Sequence, residues 1–213
     1  MSLIHSFPYQ LYLVISEADC KGKGRNFLDV AEQSILGGVD IIQLREKNTS
    51  DQDFLEKAIR LKEITDKYGI PLIINDNTFV AKEIDAFGIH VGNNDIQPTV
   101  LRGNSFQNKM IGYSIEYLEQ LESQETIVSD YLGISPVFRT DTKTDTVTEW
   151  GLEGLMKIRK LTDKRLVAIG NIHLKNARAV MNAGADCIAV VSEICSAENP
   201  QKAAFNLKNE INK

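Results

Sequence analysis

Several residue classes are scarce in this chain of 213 residues, and each scarcity excludes something. Cysteine occurs three times, at Cys20, Cys187 and Cys195, an odd number without metal-ligand spacing. Reduced thiols in a cytoplasmic protein are the simplest expectation, with no disulfide framework. No apolar run is long enough for a membrane span, so no membrane partner is expected. The first residues lack a basic region followed by a long apolar one, and no signal peptide is expected. Positive charge is not in excess: the net charge is −5, which removes the electrostatic case for a nucleic-acid partner. Clusters of Lys and Arg are therefore read as sites for small anions. Histidine is also rare, at His5, His90 and His173. None is spaced to activate a cysteine, so nucleophilic catalysis has no support.

What the chain does have is a steady alternation of short apolar runs and helical patterns. Residues 9–15, 40–44, 71–74, 88–91, 109–113, 130–134, 165–169 and 186–191 read as strands, being too short for helices and rich in β-branched residues. Helical periodicity lies between them, as at Phe27, Val30, Ala31 and Ile35, or Phe54, Ala58, Leu61 and Ile64. Ser50 to Asp53 resembles a capping box with Asp in place of Glu. Gly37-Gly38 and Gly69 close two of the helices. Eight strand–helix units imply parallel pairing through right-handed crossovers, and the length suits a single α/β domain, a (β/α)8 TIM barrel over residues 1–213. Residues 1–8 read as a loose lead into it. An open doubly wound sheet is the alternative, but Ser16 to Asp19 after the first strand carries no glycine-rich fingerprint.

In a parallel barrel the strand C-termini share one face, where chemistry concentrates. Seven of the eight predicted strand ends carry polar groups suited to it: Arg45 and Lys47; Asn75 and Asp76; Asp95; Ser114; Thr140, Thr142 and Lys143; Gly170 and Asn171; and Ser192. The second strand is the clearest case, running from Ile41 and Ile42 through Gln43 and Leu44 into Arg45, Glu46 and Lys47. Such a tip suits an anion, with a planar fork of donors beside a point charge, although it also describes a strand entering a solvated loop. Asp76 and Asp95 follow adjacent strands. Paired carboxylates that leave other positions to water and phosphate suit Mg2+, while the competing reading is that each caps the helix after it. The polar segment 135–149 suits a flap over the site or an idle surface loop. The ends of strands seven and eight are where barrels commonly hold a phosphate. His90, in mid-strand, reads as a packed or supporting residue.

These residues resemble the thiamine-phosphate synthase family over nearly the whole chain. The motifs are Gln43-Leu-Arg-Glu-Lys47, Ile74-Asn-Asp76, Gly88-Ile-His-Val-Gly-Asn-Asn-Asp95, Gly112-Tyr-Ser114, Asp130 through Lys143, and Ala185 through Ser192. The resemblance implies a TIM barrel that condenses a hydroxymethylpyrimidine diphosphate with a thiazole phosphate, plain or carboxylated, and releases pyrophosphate with Mg2+. It implies that Gln43, Leu44, Arg45, Glu46, Lys47, Asn75, Ser114 and Lys143 hold the diphosphate, with Arg45, Lys47, Ser114 and Lys143 acting in the reaction. Asp76 and Asp95 would hold Mg2+. Thr140, Asp141, Thr142, Gly170, Asn171, Val191 and Ser192 would hold the thiazole phosphate. Its partners would be these small molecules, with a homo-oligomer allowed. The chain departs from the family's usual Gly-Gly after strand seven, and Asn tolerates the left-handed region that such a turn uses. A thiazole tautomerase paralogue is the alternative enzyme, although it uses a His near the position of Ser114. A phosphate-binding barrel without turnover is the alternative outside enzymes.

Overall fold

Parallel strands need long crossovers, and a parallel sheet needs both faces covered. Here both needs are met by closure. In the computed structural model, which describes residues 7–139 and 148–213, every strand pairs in parallel with the next, and the first pairs with the eighth. In chain order the elements are β1 Leu11–Ile15, α1 Glu17–Lys21, α2 Phe27–Leu36, β2 Ile41–Leu44, α3 Asp51–Tyr68, β3 Leu72–Asn75, α4 Thr78–Glu83, β4 Gly88–Val91, α5 Pro98–Gly103 and β5 Met110–Ile115. Then come a 3-10 turn at Leu118–Glu122, α6 Gln124–Val128, β6 Tyr131–Ile134, α7 Gly151–Leu161, β7 Arg165–Ile169, α8 Ala177–Asn182, β8 Cys187–Val190, α9 Ser192–Cys195 and α10 Pro200–Ile211. The architecture is the expected (β/α)8 barrel.

The pleat sorts side chains into two cores, because successive residues of a strand face opposite ways. Leu11, Leu13, Ile15, Ile42, Leu44, Ile74 and Ile89 point outward and pack against the helices. Tyr12, Val14, Ile41, Ile73, Met110, Tyr131, Val167, Cys187 and Ala189 point inward. Phe7 joins this inner cluster, 4% exposed, its ring centroid 4.9 Å from that of Tyr131. Phe7, expected to belong to a loose lead through residue 8, instead fills the barrel floor. All three cysteines are free and buried.

Acidic residues clamp the N-terminal end of the barrel. Asp130 accepts from the Ile111 N–H at 2.7 Å and pairs with Arg102 at 2.7 Å. Asp40 accepts from the Gln10 and Leu11 N–H groups and pairs with Lys208. Asp186 accepts from the Leu166 N–H and pairs with Arg159 and Arg165. Each carboxylate sits just ahead of one strand and ties down the start of the strand before it, with a cation from a helix or strand balancing its charge.

Local signals were mostly sufficient for the helices. Ser50 caps α3, its hydroxyl accepting from the Asp53 N–H, but Asp53 returns its carboxylate to the Ser50 hydroxyl at 2.7 Å and not to the backbone. Gly69 ends that helix in the left-handed region at φ 67°. Between β5 and β6 the chain forms a 3-10 turn followed by α6. Ser123 divides them, extended at ψ 155° and capping α6 by accepting from the Thr126 N–H. The short helices α1 and α9, four or five residues each, follow β1 and β8 and were not anticipated from periodicity, being shorter than two turns.

Candidate active site

Closure turns the strand tips into one depression. The inward file of β2 is Ile41, then Gln43, then Arg45 and Lys47 beyond the strand, so one row of side chains passes from the apolar floor to a charged rim. A cavity of about 260 Å3 opens there, lined by Gln43, Arg45, Lys47, Asn75, Asp76, Asp95 and Ser114, together with Tyr12, His90 and Tyr131. A second lobe of about 90 Å3 is lined by Gly170, Asn171, Val191, Ser192, Asp19 and Ser135. Val14, Arg45, Ser135, Ile169 and Ala189 belong to both lobes. Arg45 thus stands on the shared wall, and its guanidinium makes no hydrogen bond or ion pair among the described residues. It remains available to an anion in either lobe.

The carboxylate pair is settled against helix capping. Asn77 caps α4, its side chain accepting from the Val80 N–H at 2.9 Å, and α5 starts after Gln97 with no side-chain cap. Asp76 is instead held at φ 59°, a left-handed conformation that costs free energy in a residue other than glycine. Its N–H donates to the His90 carbonyl at 2.9 Å, and its carboxylate accepts from Lys47 and from the Asn75 amide, each at 2.6 Å. Asp95 accepts from the Gly92 N–H at 2.8 Å. Burial pushes the Asp95 carboxyl up, the Gly92 N–H draws it down, and the Asp76 carboxylate pushes it up again. Two carboxylates this near each other suit a divalent cation, whose charge would offset the repulsion felt at Asp95. Among the described residues no cluster of three or more His, Cys, Asp or Glu side chains could hold a metal. The donor set therefore fits Mg2+, which takes one or two carboxylates and fills its sphere with water and phosphate oxygens, and does not fit a metal held in an all-protein cage.

Beneath the rim, polar side chains join across the barrel. The Gln43 amide donates to the Tyr12 hydroxyl at 2.9 Å, and Tyr12 and Tyr131 share a hydrogen bond at 3.1 Å. His90 meets Tyr131 through Nδ1 at 3.0 Å and Ser114 through Nε2 at 2.9 Å. Burial drives both tyrosine hydroxyls upward, so they stay protonated.

The second lobe is shaped by one turn. Gly170 has φ 115° and Asn171 φ 48°. A Cβ at Gly170 would lie 2.6 Å from the Pro136 Cβ, so β7 and the loop after β6 meet there backbone to backbone. Asn171 occupies the left-handed region as an Asn is able to. The loop stem is pinned by the Val137 N–H donating to the Ile169 carbonyl and the Gly151 N–H donating to the Val137 carbonyl, each at 2.8 Å.

The structure gathers Gln43, Arg45, Lys47, Asn75, Asp76, Asp95, Ser114, Gly170, Asn171, Val191 and Ser192 around the two lobes. Two of the expected residues turn their side chains away from the lobes. The Leu44 side chain is fully buried on the outer face, between the barrel and its helices, because it alternates with Gln43. Glu46 turns away as well, accepting from the Glu17 N–H at 2.7 Å and from Lys57 at 2.8 Å, and so ties the start of α1 to α3. Thr140, Asp141, Thr142 and Lys143 lie outside the described residues. Tyr12, Tyr131, Asp19, Asn93 and Glu116 line the lobes without having been singled out. For Tyr12 the available signal was its place two residues before Val14 on the same strand face, but nothing in the sequence told which face was inside.

The chain matches the family model described as thiamine monophosphate synthase over residues 11–194. It is 46% identical over 202 residues to a thiamine-phosphate synthase of Albidiferax ferrireducens, covering 95% of this chain and 91% of that one. It is 41% identical over 211 residues to a thiamine-phosphate synthase of Alkaliphilus oremlandii, covering 99% and 100%. Among solved structures, a thiamine phosphate pyrophosphorylase from Pyrococcus furiosus superposes with a TM-score of 0.85 at 32% identity, covering 96% of each chain.

Proposed function

The chain belongs to the thiamine monophosphate synthase family, and from that premise we propose which substrates it joins and which residues join them. A hydroxymethylpyrimidine diphosphate occupies the larger lobe and a thiazole phosphate reaches it from the smaller one. The bond between the pyrimidine methylene carbon and the diphosphate oxygen breaks, and its electron pair leaves with pyrophosphate. The thiazole nitrogen then supplies the pair that forms the new carbon–nitrogen bond, giving thiamine phosphate. No proton has to be abstracted, so a site without a convincing general base is adequate.

Asp76 and Asp95 are the residues that would hold Mg2+, and when bound it would supply positive charge to the departing pyrophosphate oxygens. Arg45 and Lys47 add charge from the rim, with Lys143 expected to join them. Asn75, Gln43 and Ser114 orient the pyrimidine diphosphate. Gly170, Asn171, Val191 and Ser192 would cradle the thiazole phosphate with Thr140, Asp141 and Thr142. Holding the two reactants in line is the larger part of the task, because alignment in one cavity replaces an encounter in solution.

The observation that carries this reading is the joint cavity. Paired carboxylates and an Arg45 without a side-chain partner among the described residues face one lobe, and the same arginine faces the lobe that ends at the Gly170–Asn171 turn. The test is a product assay with both substrates and Mg2+, run with and without EDTA. Thiamine phosphate that forms with the metal and disappears with the chelator supports the reading. Equal product in both arms removes the metal from it, and no product from folded protein removes the pair of substrates.

A further inference from the structure

The row of contacts from Gln43 to Ser114 has a direction, and the direction follows from counting hydrogens. The Gln43 amide nitrogen only donates, so the Tyr12 oxygen accepts there. Tyr12 is fully buried, and its own hydrogen has the Tyr131 oxygen as acceptor. The Tyr131 hydrogen then goes to His90 Nδ1, which must be the bare ring nitrogen. The His90 proton lies on Nε2 and is donated to Ser114 Oγ. The Ser114 hydrogen is left to point into the cavity. Running the chain the other way would leave the Tyr12 hydrogen buried without an acceptor, an arrangement that buried polar groups avoid.

A second observation shows that the relay is built into the strands. A Cβ at Gly112 would lie 2.4 Å from His90 Nδ1 and 2.4 Å from the Tyr131 hydroxyl oxygen. A Cβ at Gly133 would lie 2.9 Å from His90 Cε1. Neither glycine has a positive φ, so each is needed for space alone. Two inward positions, on β5 and β6, are kept bare so that the imidazole and the phenol can lie across them.

We infer that Tyr12, Tyr131 and His90 are positioning residues that set the polarity of the pyrimidine pocket, presenting Ser114 as a hydrogen-bond donor and the Gln43 amide oxygen as an acceptor. With its nitrogen committed to Tyr12, Gln43 turns its amide oxygen to the cavity, where it has no partner among the described residues. The matching ligand carries an acceptor toward Ser114 and a donor toward Gln43, as an amino-substituted nitrogen heterocycle does. An oxo-substituted ring, which offers an acceptor where the amino group offers a donor, meets the wrong partner at Gln43. In this direction His90 donates to Ser114 and does not act as its base, so the Ser114–His90 pair is not a nucleophile. The identity of the ring rests on the proposed function; the direction of the relay does not.

The first test uses the unmodified, substrate-free protein. Nitrogen-labelled histidine is read by long-range proton–nitrogen correlation at neutral pH, which separates a ring protonated on Nε2 from one protonated on Nδ1 or on both. His90 is assigned by the signal lost in His90→Gln. The expected result is the Nε2–H form alone; an Nδ1–H ring or an imidazolium at His90 overturns the inference, whether or not product is ever formed. The second test is Tyr131→Phe, which removes the donor to Nδ1. The KM for the pyrimidine diphosphate should rise about tenfold, the thiazole phosphate KM should hold, and His90 should become a tautomer mixture. An unchanged KM for the pyrimidine diphosphate, or an equal rise for both substrates, overturns the positioning role.

Discussion

Replacing Arg102 by Ala separates what holds the barrel from what works at its mouth. Arg102 lies under the N-terminal end, with its side chain 19% exposed. One guanidinium nitrogen donates to Asp130 at 2.7 Å, and the group also donates to the carbonyls of Phe106, Gln107, Lys109 and Val128. The Asp130 side chain is 3% exposed and also receives the Ile111 N–H. Removing the arginine takes the hydrogen-bonded cation from a buried carboxylate, a change that costs about 3–5 kcal/mol when such pairs are broken. The Ile111 N–H still stabilises the carboxylate, so the lower end of that range, about 3 kcal/mol, is expected. For a chain of this length each kcal/mol moves the midpoint about 2–4 °C, so Tm should fall about 6–12 °C by scanning calorimetry. Asp130→Asn added to Arg102→Ala should recover about 1–2 kcal/mol, because the amide still accepts from Ile111 and no charge is left buried. The turnover rate per folded molecule should not change, since neither residue lines the cavity. A Tm within about 2 °C of the parent, or a double variant less stable than Arg102→Ala, would refute the argument that the buried charge dominates.

Three further expectations concern the site. Asp76→Ala should abolish Mg2+-dependent turnover while circular dichroism shows an intact barrel, because the residue has no capping role to lose; parent-like turnover would take Asp76 out of the metal site. Asn171→Gly should relax a strained φ of 48° and alter the KM for thiazole phosphate alone, and a change confined to the pyrimidine diphosphate would mean that the two lobes are assigned the wrong way round. Gly112→Ala should cost about 1–3 kcal/mol in urea denaturation, since the new methyl would meet the Tyr131 ring at 2.2 Å from Cζ, and it should raise the pyrimidine diphosphate KM with it; stability equal to the parent would show that the ring moves aside without cost.

The sequence by itself determined the order of the strands and the longer helices, because strand runs and helical stripes differ in period and are bounded by Gly, Asn and Ser caps that act locally. It also determined that charge collects after strands. Gln43, Arg45 and Lys47 follow Ile41 at intervals of two, so that face of β2 changes character over a few residues whichever way it points. The tertiary structure decided which face that was. Strands buried on both sides are apolar on both, so composition could not tell that Tyr12 lies inside while Leu13 lies outside, or that Leu44 faces the helices. It likewise decided the fate of Glu46, whose place in a charged motif suggested the site but whose carboxylate finds the open end of α1 and Lys57. The relay was out of reach for the same reason: Tyr12 and Tyr131 are 119 positions apart, and His90 and Tyr131 are 41 apart. Their meeting depends on how the closed sheet staggers its strands, a property of eight strands together that no stretch of sequence carries alone.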